Sequence, residues 1–214
     1  MYHWNDFINK TISILNKFKK NETAPLVPFF SKDYYNSPNI CFGDYTYGKP
    51  CIFQWDEKTK LVVGKFCSIA GEVKIYLGGN HRVDWITTYP FNSLPDYFPE
   101  LLEIKGHPGT KGDVTIGNDA WLANSCVILS GVSIGDGAVV GANSVVSKNI
   151  GAYEVYAGNP AKFIKNRFSD SDISKLLEMK WWDWEIGNIK KVGELLCSEK
   201  IDELYDYYSL NIKK

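Results

Sequence analysis

The sequence has no excess of either charge: 24 Lys and Arg stand against 25 Asp and Glu, a formal net charge of −1 over 214 residues. A chain so balanced offers no polyelectrolyte face to nucleic acid or to an anionic membrane. It has no apolar run long enough to span a bilayer. Asp6, Asn9 and Lys10 break up the apolar residues after Met1, where a secretory leader needs an unbroken core. Its five cysteines (Cys41, Cys51, Cys67, Cys126 and Cys197) are odd in number and match no zinc-ligand spacing. A disulfide-stapled scaffold and a zinc module are set aside, and a reduced, cytoplasmic protein is expected. Helical periodicity is missing from 39–76, which is rich in β-branched and aromatic residues and punctuated by Gly43, Gly48, Gly64 and Gly71.

What is present is a period of six. Residues 116–151 read IGNDAW LANSCV ILSGVS IGDGAV VGANSV VSKNIG. The blocks open on Ile116, Leu122, Ile128, Ile134, Val140 and Val146, and carry Ala120, Cys126, Val132, Ala138, Ser144 and Ile150 at their fifth places. The same register runs through VGKFCS IAGEVK IYLGGN, from Val63, Ile69 and Ile75, with Cys67, Val73 and Gly79 fifth. It fails from Leu77 to about Asp113, a stretch rich in Pro, Gly and Asn.

A strand repeats every two residues and a helix every 3.6. A period of six instead fits a triangular coil in which each block is one short strand and one corner, so that three blocks complete a turn. Aliphatic first places then fill the shaft, small fifth places fit where the wall bends inward, and Gly135 and Gly141 relieve the corners. The fold predicted is mainly β, a parallel β-helix built by nearest-neighbour stacking. An all-β sandwich is the alternative, and six uninterrupted blocks that each meet two conditions weigh against it.

The chain divides into an N-terminal helix and linker (1–30), a β-helix domain (31–160) with an excursion loop (77–113), and a C-terminal helical arm (161–214). Trp4, Ile8, Ile12 and Leu15 form the stripe of the first helix, which Pro25 and Pro28 close. Ser169 or Ser171 can cap the first helix of the arm, and Ile173, Leu176, Leu177 and Trp181 give its stripe. Further stripes fall at Ile186, Ile189, Val192 and Leu196, and at Ile201, Leu204 and Tyr208.

His81 stands six residues after Ile75, at a first place where the register asks for an aliphatic, and there the chain leaves the coil. An imidazole at such an edge, able to titrate near neutrality, is the candidate general base. Asn80 is a candidate to bind an acceptor hydroxyl or orient the ring, and Asp84 to hold the other ring nitrogen; plain loop hydrogen bonding is the alternative for both. His107, on the same excursion, is read first as loop packing or a subunit contact, and His3 as exposed. No histidine lies on a coil wall at coil spacing, so no metal is expected. Trp121, at a sixth place, should face outward and mark a contact surface.

Five stretches carry a resemblance: LGGNHRVDWITTYPF (77–91), KGDVTIGNDAWLA (111–123), GANSVVSKNI (141–150), YAGNPAKFIKNRF (156–168) and KWWDW (180–184). Together with the repeats between them these stretches span most of 34–184, and over that span the chain resembles the hexapeptide-repeat acyltransferases. Within these it is most similar to the xenobiotic acetyltransferase group, which includes chloramphenicol and streptogramin acetyltransferases and many saccharide O-acetyltransferases. The resemblance implies a left-handed coil, against the right-handed preference of ordinary parallel crossovers. It implies a homotrimer with sites between subunits, acetyl-CoA as co-substrate, and a catalytic histidine at His81. It places Trp121 beside that histidine and the acyl-CoA arm, and has Asn159, Pro160 and Lys162 frame the adenine.

On that reading the pantetheine arm needs backbone donors, expected at Ala123, Gly141 and Ala142. Its phosphates need cations, expected from Lys148, Lys162, Lys165 and Arg167. Trp85, Tyr89 and Phe91 on the excursion, with Tyr34, Tyr45, Tyr47 and Trp55 from the early coils, are the expected acceptor surface, against core or subunit packing as the alternative. Antibiotic-inactivating members of the group tend to have a small residue where Trp85 stands. The acceptor expected is therefore a saccharide or glycan precursor, with an antibiotic as the alternative and a non-catalytic β-helix scaffold as the second.

Overall fold

The computed structural model describes residues 30–35 and 37–213. The helix expected in 1–30 lies outside them. The coil begins with β1 (Ile40–Phe42) and β2 (Cys51–Phe53) and continues through β3 (Leu61–Val63), β4 (Ser68–Ile69) and β5 (Lys74–Tyr76). After the excursion come β6 (Val114–Ile116), β7 (Trp121–Leu122), β8 (Val127–Ile128), β9 (Ser133–Ile134), β10 (Val139–Val140) and β11 (Val145–Val146). The last strands are β12 (Glu154–Ala157) and β13 (Lys162–Asn166).

These strands stack into three faces: β1-β3-β6-β9, β4-β7-β10-β12-β13 and β2-β5-β8-β11. Pairing is parallel throughout, except that β13 folds back antiparallel on β12. The first places of the six-residue blocks are register partners: Val63 with Ile116 and Ile134, Ile69 with Leu122 and Val140, Ile75 with Ile128 and Val146. All of them are buried, as are Cys67, Val73, Ala120, Cys126, Val132, Ala138, Ser144 and Ile150 at the fifth places. Each such aliphatic side chain contributes about 1.5–3 kcal/mol by leaving water, and the shaft is one continuous stack of them. The two thiols in it are inert by burial, which pushes Cys67 up to about 11 and Cys126 to about 12.

The corners add what the letters do not announce. Left-handed backbone recurs at non-glycine residues, at Phe66 and Asp119 on one edge and at Glu72, Ser125 and Asn143 on the next. Where coils meet at the first edge the backbones touch: a Cβ on Gly117 would stand 2.6 Å from Asp136 N, and one on Gly135 2.5 Å from Ala152 N. Asn118 and Asp136 knit the same edge, the Asn118 N–H and Nδ2 donating to Asp136 Oδ1 at 2.7 and 2.8 Å.

The helical arm starts later than 161, because β13 first closes a hairpin on the coil's end. Ser169, not Ser171, caps α1 (Asp170–Met179) by accepting from Asp172 N. The short helices α2 (Ile186–Lys191) and α3 (Gly193–Leu196) and the longer α4 (Ile201–Asn211) follow. Leu176, Met179, Trp182, Trp184, Val192 and Leu204 form a second apolar cluster with Tyr153, docked on the edge between the first and second faces. Among the described residues no helix is long and apolar enough to cross a membrane.

The stacked edge predicts that Gly135→Ala destabilises the fold by about 1–3 kcal/mol through backbone overlap. Gly187→Ala, in α2 with nothing within 4 Å of the added carbon, should be neutral or stabilise by up to about 1 kcal/mol. Chemical denaturation of the two variants checks the contrast.

Candidate active site

The excursion leaves the edge between the third and first faces and returns to it. Across it 53 positions separate stacked partners, where 18 separate them between β6–β8 and β9–β11, yet the ladder resumes without slippage. Its foot is pinned by a two-way backbone bridge between Asn80 and Gly109, at 2.9 and 2.6 Å. Asn80 Nδ2 donates to Ser130 Oγ at 3.0 Å, tying the loop to the next coil.

His81 follows at once and is exposed. Its Nδ1 lies 2.6 Å from the Thr88 carbonyl oxygen. A carbonyl only accepts, so Nδ1 carries the proton and Nε2 presents a lone pair. The ring nitrogen expected to belong to Asp84 thus belongs to a main-chain oxygen. Asp84 is turned to Arg82, whose Nε donates to it at 2.7 Å, and that hydrogen bond lowers the carboxyl to about 2. Nothing in the letters announces Thr88, because the atom that matters is one every residue has.

Trp85 is not an open acceptor surface. It is half-buried against the His107 ring, centroids 4.9 Å apart, and beneath the Arg82 guanidinium. Tyr89 packs on Phe91 inside the excursion, at 4.8 Å. Tyr34 and Tyr45 lie on other edges of the prism: Lys49 Nζ sits over Tyr34, and Tyr45 stacks on Phe66, which meets Trp181 of the arm. They do not join His81 within one chain. Of the expected aromatics Trp55 does reach this edge, in a shelf of near-parallel rings with Phe53 and Tyr76, which were not anticipated and lie 4.6 Å apart. Trp55 lies directly on Gly79, where a Cβ would stand 2.8 Å from the indole.

Trp121 faces outward, half exposed at 52 %. It stands on the second face, which is opposite the edge carrying His81, with the filled shaft between them. Of the expected pantetheine donors, Ala123 N already donates to Val140 O and Gly141 N to Tyr156 O, both as ladder bonds. Ala142 N has no such partner among the described residues. Lys148, Lys162, Lys165, Asn159 and Pro160 are exposed, the last two joined by a cis bond in the turn between β12 and β13.

Arg167 is half-buried and turned back on the coil. Its Nη1 donates to Gly137 O at 2.7 Å and to Asp119 Oδ2 at 3.3 Å, and its guanidinium lies over Tyr153 and Phe168. It is the cation that keeps the Asp119 carboxylate paired, although burial still raises that carboxyl. Among the described residues no group of three or more His, Cys, Asp or Glu gathers to hold a metal ion.

A stack of six-residue coils interrupted by a loop that sets an imidazole on its edge defines a class, the hexapeptide-repeat transferases. The family described as "Bacterial transferase hexapeptide (six repeats)" matches residues 113–148. The chain is 47 % identical to a probable macrolide acetyltransferase of Lysinibacillus sphaericus, over 70 % of this chain and 84 % of that one. It is 41 % identical to a chloramphenicol acetyltransferase of Morganella morganii, over 72 % and 73 %. It is 37 % identical to a virginiamycin A acetyltransferase of Staphylococcus aureus, over 82 % and 84 %. The chain belongs to the xenobiotic acetyltransferase group of the hexapeptide-repeat acyltransferases, with the left-handed parallel β-helix of that family. It is an acetyltransferase, and acetyl-CoA is its co-substrate.

The separation of Arg167 from the exposed lysines is testable by stability. Arg167→Met leaves Asp119 without its cation and should cost about 1–3 kcal/mol. Lys165→Ala should stay within about 0.5 kcal/mol of the parent. Urea denaturation at neutral pH reads both.

Proposed function

We propose that the protein moves the acetyl group of acetyl-CoA to a hydroxyl of a small antibiotic, by direct attack in a ternary complex, with His81 as general base. The observation that carries the reading is the hydrogen bond from His81 Nδ1 to the Thr88 carbonyl, which leaves Nε2 as the free base on an open edge. Nε2 takes the acceptor's hydroxyl proton as the oxygen attacks the thioester carbonyl. The tetrahedral intermediate then collapses, the carbon–sulfur bond breaks, and the imidazolium returns the proton to the thiolate. The products are the acetyl ester and CoA; no protein nucleophile is acetylated.

The site is completed between copies. Trp121, whose indole N–H is a candidate donor to the reacting groups, is on the far side of the prism from His81 in the same chain, so a second copy supplies it. The excursion's exposed apolar residues, Val83, Ile86 and Tyr97, are the groups such packing would cover. Three copies about one axis close this arrangement, as the family resemblance suggests. The exposed Lys148, Lys162 and Lys165 are the cations available to the phosphates of CoA, and Ala142 N–H is available to its arm.

The antibiotic acceptor replaces the saccharide expected from the sequence. That expectation rested in part on Trp85, which packs on the His107 ring, while the relatives named above carry the names of three antibiotic classes. A saccharide remains the second reading because the Phe53–Tyr76–Trp55 shelf offers aromatic faces beside Gly79. Membership of an acetyltransferase family sets the scaffold alternative aside.

Thiol release from acetyl-CoA, measured against chloramphenicol, a streptogramin A and a saccharide panel, should show turnover with an antibiotic. Turnover confined to saccharides reverses the acceptor. On the responding acceptor, His81→Ala should lower kcat by about 10²–10⁴ with little change in the KM for acetyl-CoA. Near-parental turnover would remove His81 from the mechanism.

A further inference from the structure

His81 is exposed, and one hydrogen bond locates its Nδ1 but leaves the ring plane free to swing about that contact. What stops the swing is a second imidazole. The His107 ring meets the His81 ring edge to face, centroids 5.1 Å apart and planes 78° apart. His107 is buried, at 7 % exposure, and is itself wedged from behind by Trp85, at 4.9 Å and 73°.

Trp85 in turn is held on two sides. It packs onto Gly106, where φ is +126° and a Cβ would stand 3.0 Å from the indole, and the Arg82 guanidinium covers it at 5.2 Å. Asp84 fixes Arg82. The backbone of His107 is pinned by Asn92 Nδ2, which donates to its carbonyl at 3.0 Å, and two residues on the chain closes the Asn80–Gly109 bridge. Every layer from Asp84 to His81 rests on the next; the two ends of the series are exposed and His107 within it is buried. Neither ring nitrogen of His107 has a hydrogen-bond partner among the described residues, so what His107 gives His81 is ring contact.

We propose that His107 is a positioning residue: its buried ring, backed by Trp85 and Arg82, sets the plane of the His81 imidazole and so aims Nε2. This rests on the reading of His81 as the base, and it gives Trp85 and Asp84 a role behind the site in place of one on the substrate. A misaimed base loses rate steeply with displacement, whereas the affinity for acetyl-CoA, carried by its arm and phosphates rather than by the His81 ring plane, changes little.

The test compares His107→Ala with His107→Phe in the full chain, Phe retaining a flat ring of similar size without the nitrogens. With acetyl-CoA and chloramphenicol, or whichever antibiotic turns over, His107→Ala should lower kcat by about 10–100-fold and leave the KM for acetyl-CoA within about twofold. His107→Phe should recover to within about threefold of the parent. Long-range ¹⁵N–¹H spectra of labelled histidine give a readout that needs no acceptor. His81 should show the single Nδ1–H tautomer in the parent and in His107→Phe, and an averaged tautomer in His107→Ala. Parental kcat and tautomer in His107→Ala overturn the proposal, as does a folded His107→Phe as slow as His107→Ala. Failure of His81 as the base is read separately, from turnover by His81→Ala.

Discussion

Everything in this molecule depends on the ladder that joins each coil to the coil above it. Backbone N–H and C=O groups of one coil are satisfied by the neighbouring coil, 18 positions away where the six-residue blocks are uninterrupted, and first-place aliphatics stack in the same register. The ladder therefore dictates both hydrogen bonding and core packing. It tolerates the long excursion because Val63, Ile69 and Ile75 pair as directly with Ile116, Leu122 and Ile128 as those residues do with the next coil. Closing a longer loop adds little entropy cost once its two ends are fixed side by side. The loop that begins with His81 can thus be long and irregular while the scaffold under it remains regular.

The same ladder decides which groups can meet. A triangular prism has no interior route between an edge and the opposite face, since the shaft is filled from Val63 to Ile150. His81 and Trp121 are therefore kept apart within a chain by the feature that holds each of them steady. A site that needs both is an intermolecular one.

The sequence disclosed the parts that the period controls. Which residues point inward, where the coil breaks and that His81 stands at the break were legible, because period six ties letter to orientation. Which edge an outward residue shares with the loop was not. Tyr34 and Tyr45 face other edges, and Arg167 turns back to Asp119 and Gly137. Backbone partners were equally hidden: the Thr88 carbonyl that orients His81, and the ladder that engages the Ala123 and Gly141 N–H groups, are main-chain atoms common to all residues. Asp84 and Trp85 lie in the motif that carries His81, and their contacts are with Arg82 and His107, partners that no spacing announces.

The central claim is that one chain brings the imidazole and another the indole. Mixed oligomers test it most directly. His81→Ala and Trp121→Ala chains, each slow alone, are unfolded together at equal concentration, refolded, and assayed for acetyl transfer. If neighbouring copies share each site, random mixing rebuilds it with both groups intact in about a quarter of cases, and activity should rise toward that fraction of the parent. Activity no higher than the average of the two separate variants would mean that His81 and Trp121 never serve the same site from different chains.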